Sequence, residues 1–442
     1  MLKKILVLGA GMVSKPMIDY FFKKTDFHVI MASRTVSKAE KIINKNPNGK
    51  AIALDVKNEE QLEQLIKDAD LTVSLLPYIF HVKVAKICIK HQKPMVTTSY
   101  VSDEMKKLDE TAKKTGILIL NECGLDPGID HMSAMRVIHK VEEKGGKVKS
   151  FKSSTGALPS HEANNNPFGY KFSWAPRGVL LASKNPSQWL ENGQIKKYPG
   201  EQLFENYYIQ DVEGVGSFEN YPNRDSVPYK EIYGLKDAET VYRGTFRMTG
   251  WCETMRKIVQ IGWLDDKPLE GFTGSSYADL TRCLVKAKPN VDLIKVTAEK
   301  LDLKLYSTVI KRMQWLGLFD EHVKLPEDKD NPLDYLNMLT LEKMLLKKDE
   351  RDMIVMHHEF IAEYPDKKVY ITSTLVDYGI PNGDSAISRT VSIPAAIAVK
   401  MIIDGKIKQT GVHIPVKPEI YNPILDELET MNIKFIEKTK EL

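Results

Sequence analysis

Six short apolar runs, separated by charged stretches, occupy the first 125 residues and leave little choice of fold. The runs are residues 5–8, 29–32, 51–54, 71–75, 95–98 and 117–120. The stretches 38–43 and 59–66 between them carry apolar residues at helical spacing. Strands alternating with helices build βαβ units, and right-handed crossovers join these into one parallel, doubly wound α/β sheet. After Asn121 the texture changes. Residues 145–280 are rich in Gly, Pro, Asn and aromatic residues, with short β-like runs that predict a mixed α/β domain. Residues 283–350 read as an all-helical insertion. Val309, Met313 and Leu316 share one helical face there, as do Leu341, Met344 and Leu345. β-like runs return at 353–356 and 369–374, and a last helix is expected near 394–403, ended by Gly405.

The 442 residues suggest two or three domains and need no disulfides to bury a core. A formal net charge of +4, from 63 basic and 59 acidic residues, gives no case for nucleic acid or a membrane surface as partner. Cys88, Cys123, Cys252 and Cys283 form no CxxC pair, so no metal is expected and reduced thiols in a cytoplasm are the simpler reading. The apolar run at 5–8 is too short for a signal-peptide core, and no uninterrupted run of 18 apolar residues occurs.

Gly9-Ala10-Gly11-Met12-Val13-Ser14 follows the first strand and opens a helix. Gly9 permits the tight turn. Gly11 lets the backbone approach a pyrophosphate seated on the helix N-terminus, with Met12 and Val13 beside it. Ser14 stands where a third glycine is usual. In this context the motif marks a Rossmann-type dinucleotide site. The second strand ends Ala32-Ser33-Arg34-Thr35 with no carboxylate for the ribose hydroxyls. Arg34 can hold a 2′-phosphate, with Ser33 and Thr35 donating to it, so NADP(H) is expected over NAD(H); the rival reading is that Arg34 is a solvated surface charge. Asp55 and Val56 end the third strand, where an adenine ring would lie, and Leu76 follows the fourth, near the nicotinamide ribose. Two more strand ends carry polar clusters: Thr97-Thr98-Ser99-Tyr100, and the loop from Asn121 through Leu125, Asp126, Pro127 and Asp130 to His131. Asp126 is the candidate for proton chemistry, weighed against a plain helix-entry loop.

Taken together, GAGMVSKP at 9–16, TTSYVS at 97–102, NECGLDPGIDHM at 121–132, NPFGYKFSWAPRGVL at 166–180, YPNRDSVPY at 221–229, RGTFR at 243–247 and GVHIPV at 411–416 resemble the saccharopine dehydrogenase (L-glutamate-forming) family, also called saccharopine reductase. The resemblance runs over nearly the whole chain. It implies a Rossmann domain of 1–125 plus about 390–442, a mixed α/β substrate domain of 126–282 plus about 351–389 that also makes a homodimer, and a helical lid at 283–350. It implies interconversion of saccharopine with L-glutamate and 2-aminoadipate 6-semialdehyde through an imine, in lysine metabolism, with NADP(H). Asp126 and Tyr100 are then the catalytic candidates. Ser99, Tyr100, Asp126, Arg224, Thr245, Phe246 and Arg247 are the substrate contacts. Thr98, Leu125, Asp126, Pro127 and Ser173 join the cofactor set, and His131 is read as structural. Where fungal members resemble CGGLP, this chain has Thr155-Gly156-Ala157-Leu158-Pro159, so a thiol sometimes assigned to the site is absent. Two alternatives remain open: an imine reductase similar to carboxynorspermidine synthase, and a non-catalytic NADP-binding regulator. The pair Arg224 and Arg247 argues against the first, and the polar strand ends against the second.

Overall fold

The structure is a computed structural model that describes residues 2–174, 176–272 and 274–442. The chain forms two compact units. The first runs to Gly146 and takes in Gly383–Glu437; the second comprises Lys147–Asn382 and Lys438–Leu442.

In the first unit, β1 (Lys4–Leu8), β2 (His28–Ser33), β3 (Gly49–Ala53), β4 (Leu71–Ser74), β5 (Met95–Thr97) and β6 (Leu118–Leu120) lie in the order β3-β2-β1-β4-β5-β6. The short strand Gly411–His413 adds a seventh position beside β6, and every pairing is parallel. A parallel sheet is covered on both faces, so its strands are apolar throughout rather than alternating; Ile5, Leu6, Val7 and Leu8 are all fully buried. Parallel strands also bring all their carboxyl ends to one edge. The order reverses between β1 and β4, which opens a crevice at that edge. Every polar cluster singled out in residues 9–128 follows a strand end there.

One element differs from the sequence reading. The last long helix is Ala386–Ile403, eight residues longer at its start than 394–403. Its cap is Ser385, which accepts the Ser388 N–H at 3.2 Å, and Pro394 lies inside the helix. Proline reads locally as a helix start, yet tertiary burial carries the helix through it. This 18-residue helix is long and apolar enough to cross a membrane by composition, but 72% of it is buried within the protein.

The second unit is built on a mixed sheet. Six of its nine strands lie in the order Tyr208–Val212, Gly216–Pro222, Thr240–Arg247, Lys147–Pro159, Asp352–Glu363, Lys368–Tyr378. Of the pairings among these six, that of Thr240–Arg247 with Lys147–Pro159 is parallel and the others are antiparallel. Helices Trp251–Gln260, Tyr277–Val285, Leu293–Lys300, Thr308–Leu316 and Pro332–Met344 share one apolar core with the sheet residues Leu158, Met353 and Val355. The helical region therefore begins at Trp251 rather than 283, and Val309, Met313 and Leu316 are buried on one face in this core. Leu345 leaves the face it was expected to share: it is exposed beyond the helix end and bridges to Phe172.

Candidate active site

The dinucleotide loop is shaped by close backbone packing. Gly9 has φ +109°, and its N–H donates to the Ala32 carbonyl at 2.8 Å. A Cβ there would lie 2.9 Å from the Leu75 carbonyl oxygen, on the neighbouring strand end. Gly9→Ala is therefore expected to cost about 1–3 kcal/mol from backbone strain, measurable as a lower urea midpoint. Gly11 is the opposite case: it is exposed, and a Cβ would meet nothing within 4 Å. Its missing side chain leaves room for a ligand rather than for protein. Helix Lys15–Lys24 begins just beyond with no side-chain cap, and Pro16 in its first turn has no N–H. The Ser14 hydroxyl turns back to the Gly11 carbonyl at 2.8 Å, so the remaining first-turn N–H groups face outward. Met12 is exposed and Val13 half-buried beside this terminus.

At the end of β2, Ser33 is half-buried, and Arg34 and Thr35 are exposed. Arg34 has no ion-pair partner among the described residues. Thr35 heads helix Val36–Ile43 without capping it through its side chain. A guanidinium, two hydroxyls and an uncapped helix start thus stand together, a donor set suited to a phosphate. Asp55 accepts the Lys57 N–H at 2.9 Å within its own turn. Val56 and Leu76 are half-buried against one face of the sheet, the Val56 carbonyl accepting from Lys83 at 3.1 Å.

The fifth and sixth strand ends interlock. The Cys123 N–H donates to the Thr97 carbonyl, and the Glu122 N–H to the Ser99 carbonyl, each at 3.1 Å. Thr98 packs against Gly124. The loop Gly124–Gly128 closes on itself through Gly124 N–H to the Pro127 carbonyl at 3.0 Å, with a cis Asp126–Pro127 bond. Only glycine fits at Gly128, where φ is +148° and a Cβ would fall 2.1 Å from the Gly124 oxygen. Leu125 and Pro127 are buried, whereas Asp126 is half-exposed and accepts the Tyr100 hydroxyl at 2.7 Å. His131 lies inside, paired with the buried Glu122 at 2.6 Å, which matches a structural role. The sequence reading missed His81. It is buried and linked to Ser74 at 2.9 Å and to Ser99 at 2.8 Å. Its only sequence signal is its place seven residues beyond the end of β4.

In the second unit, Arg247 is 5% exposed and lies over three aromatic rings. Its guanidinium carbon is 4.9 Å from the Tyr170 ring centre, 5.6 Å from Trp251 and 5.9 Å from Tyr221. One Nη donates to the Phe246 carbonyl at 2.8 Å, and Nε has no partner among the described residues. Nor do the Tyr170 hydroxyl, the Trp251 and Trp174 indole N–H groups or the Thr155 hydroxyl. Burial pushes the Tyr221 hydroxyl up to about 12 and raises Tyr170 too, so both remain neutral donors. Glu219 sits directly opposite Arg247 in the strand pair, yet it turns to the Gly250 and Cys252 N–H groups at 2.6 and 2.7 Å. That carboxylate caps helix Trp251–Gln260 and leaves the guanidinium without an anion among the described residues.

Thr245 stands in one cross-strand row with Tyr221 and Thr155. Ser173 is buried next to Phe172, whose backbone bonds to Met344 and Leu346. One expected contact is placed elsewhere. The Phe246 side chain alternates to the other face of its strand from Thr245 and Arg247 and meets the Phe218 ring at 5.3 Å. Only its carbonyl reaches Arg247. Arg224 is exposed, with φ +55°, on the turn where the Asn223 N–H meets the Arg243 carbonyl. Four strand positions at ~3.3 Å each put the Arg243 level ~13 Å from Arg247 along the strand. Among the described residues no group of three or more His, Cys, Asp or Glu side chains could hold a metal ion.

A family model described as the saccharopine dehydrogenase NADP binding domain matches residues 5–120, and one described as the saccharopine dehydrogenase C-terminal domain matches residues 124–433. The saccharopine dehydrogenase (NADP(+), L-glutamate-forming) of Schizosaccharomyces pombe is 40% identical, covering 98% of each chain. The protein of the same name from Saccharomyces cerevisiae is 39% identical over 97% of each. The mitochondrial alpha-aminoadipic semialdehyde synthase of Mus musculus is 36% identical over 98% of this chain and 47% of its own length. Among solved structures, apo histidine-tagged saccharopine dehydrogenase (L-Glu forming) from Saccharomyces cerevisiae has a TM-score of 0.90 at 39% identity, covering 99% of this chain and 100% of that one. The chain belongs to the saccharopine dehydrogenase family.

Proposed function

We propose that the protein is an NADP(H)-dependent saccharopine dehydrogenase of the L-glutamate-forming kind, an oxidoreductase acting on a CH–NH bond in lysine metabolism. The observation that carries this reading is the buried Arg247 guanidinium among donors that lack acceptors. A buried donor left unpaired costs about 1–3 kcal/mol, and more if charged. A cluster of them is sustained by a ligand that supplies the acceptors, and a carboxylate matches the guanidinium fork. Saccharopine, glutamate joined by a secondary amine to the lysine carbon skeleton, carries three carboxylates. Arg247 takes one of them, and Arg224, on the exposed turn after Gly216–Pro222, serves another.

Bound NADP(H) supplies or accepts the hydride. The uncapped start of Lys15–Lys24 holds its pyrophosphate, and Arg34 with Ser33 and Thr35 holds the 2′-phosphate. In the reducing direction the amine of glutamate condenses with 2-aminoadipate 6-semialdehyde, water leaves, and the iminium carbon takes the hydride. In the other direction saccharopine is oxidised to the iminium, and water releases glutamate and the aldehyde. Asp126, oriented by the Tyr100 hydroxyl, hydrogen-bonds the reacting nitrogen and carries its proton. The iminium is already electrophilic, so the residues mainly orient it and govern the entry of water.

Steady-state oxidation of saccharopine with each coenzyme tests the reading, with turnover expected and NADP+ preferred. Turnover with a diamine in place of glutamate, or a preference for NAD+, would overturn it. Arg34→Ala is expected to raise the KM for NADPH about 10- to 100-fold, the size of one charge-assisted hydrogen-bond set, with NADH changed about 2-fold or less. The resemblance also supports a homodimer, and four cysteines without a CxxC pair support a cytoplasmic location. Sedimentation velocity and cell fractionation check these.

A further inference from the structure

We infer that His81 is a positioning residue: it ties the end of β4 to the end of β5 through Ser74 and Ser99, and so holds the Tyr100–Asp126 pair in its working geometry. This rests on the reading of Tyr100 and Asp126 as the groups that handle the substrate amine. His81 opens helix His81–Lys90, and its imidazole reaches back to the strand ends. Nδ1 meets the Ser74 hydroxyl at 2.9 Å, Nε2 meets the Ser99 hydroxyl at 2.8 Å, and the Thr97 hydroxyl lies 3.4 Å from Nε2. A neutral imidazole has one donor and one acceptor, and serine hydroxyls supply either, so the chain is satisfied at both ends.

Two other roles fail on the same geometry. A serine–histidine pair suggests a nucleophile with its base. Here the third member is Ser74 rather than a carboxylate, and burial pushes the imidazole down to about 4, too weak a base at neutral pH. A proton exit is excluded too, because the chain runs inward and ends at Ser74, which is fully buried. What remains is placement. Ser99 adjoins Tyr100, and the Ser99 and Thr97 carbonyls accept the N–H groups of Glu122 and Cys123, which lead into the Asp126 loop. Fixing the Ser99 hydroxyl therefore fixes both partners of the Tyr100–Asp126 hydrogen bond.

The test uses two isosteres of unequal reach. The amide of His81→Gln can take the place of Nε2 and keep the Ser99 bond, whereas that of His81→Asn can take the place of Nδ1 and keep only the Ser74 bond. A misplacement of about 1 Å costs up to 10²-fold in rate, so His81→Asn is expected to lower kcat for saccharopine oxidation about 20-fold or more, and His81→Gln about 3-fold or less. The KM for NADPH is unchanged in both. A tie that serves only stability would shift both thermal midpoints and leave kcat intact in whatever folds. Equal kcat in the two variants, whether normal or low, would overturn the inference. Ser74→Ala removes the far anchor without touching a ligand-binding group. It loses the same bond as His81→Gln and keeps the Ser99 bond, so kcat is expected to fall about 3-fold or less, and a loss there as large as that of His81→Asn counts against the idea. Tyr100→Phe and Asp126→Ala separate the two levels. If neither changes turnover, the reading of that pair falls. If both lower it and the His81 variants do not, the positioning role falls alone.

Discussion

Arg247→Ala is expected to raise the KM for saccharopine about 100-fold or more, with the KM for NADPH changed about 2-fold or less. Removing one partner of a buried, hydrogen-bonded charge pair costs about 2–5 kcal/mol, and a factor of ten corresponds to about 1.4 kcal/mol. The guanidinium is 5% exposed, so water cannot replace it at the carboxylate. Arg247→Lys should recover little, because a point charge cannot reproduce the fork. Arg224→Ala should cost less, about 10-fold, because that side chain is exposed and water screens its charge. Equal losses at the two positions would mean that burial is not what gives Arg247 its weight. An unchanged saccharopine KM in Arg247→Ala would remove the anion site from the reaction.

Asp126→Ala is expected to slow single-turnover hydride transfer by about 10²- to 10⁴-fold, the range for a positioned proton carrier. Single turnover isolates this step from product release. Asp126→Asn keeps the Tyr100 hydrogen bond at the 2.7 Å site but cannot carry the proton, so it should lie close to alanine rather than to wild type. Tyr100→Phe removes only the orienting donor, and a loss of about 10-fold is expected from one hydrogen bond to a charged group. A hydride-transfer rate unchanged in Asp126→Ala would take that carboxylate out of the mechanism.

The two sites were unequally legible. Gly9, Gly11 and Arg34 could be placed because the dinucleotide motif is local: strand, turn and helix start lie within a few consecutive residues. The polar strand ends at Thr97–Tyr100 and Asn121–Asp126 stood out for the same reason. Phe246 could not be separated from Arg247 by proximity in RGTFR, since adjacent strand residues point to opposite faces and only one of them meets the rings. Arg224 and Arg247 looked alike in the sequence, but one is exposed on a turn and the other is buried among rings. His81 carried almost no signal, since a histidine at a helix start is ordinary until Ser74 and Ser99 are brought to it.

Sequence alone determined the first unit's doubly wound sheet, because apolar periodicity and right-handed crossovers admit few topologies, and it determined the dinucleotide loop within it. Tertiary structure decided the rest. It carried helix Ala386–Ile403 through Pro394, and it added Gly411–His413 beside β6 from nearly 300 residues away. It also turned Glu219 to a helix N-terminus, so that Arg247 kept its charge unanswered. The physical reason is common to all three. Periodicity is a property of neighbours in the chain, whereas burial and the pairing of charges depend on groups that only folding brings within a few ångströms.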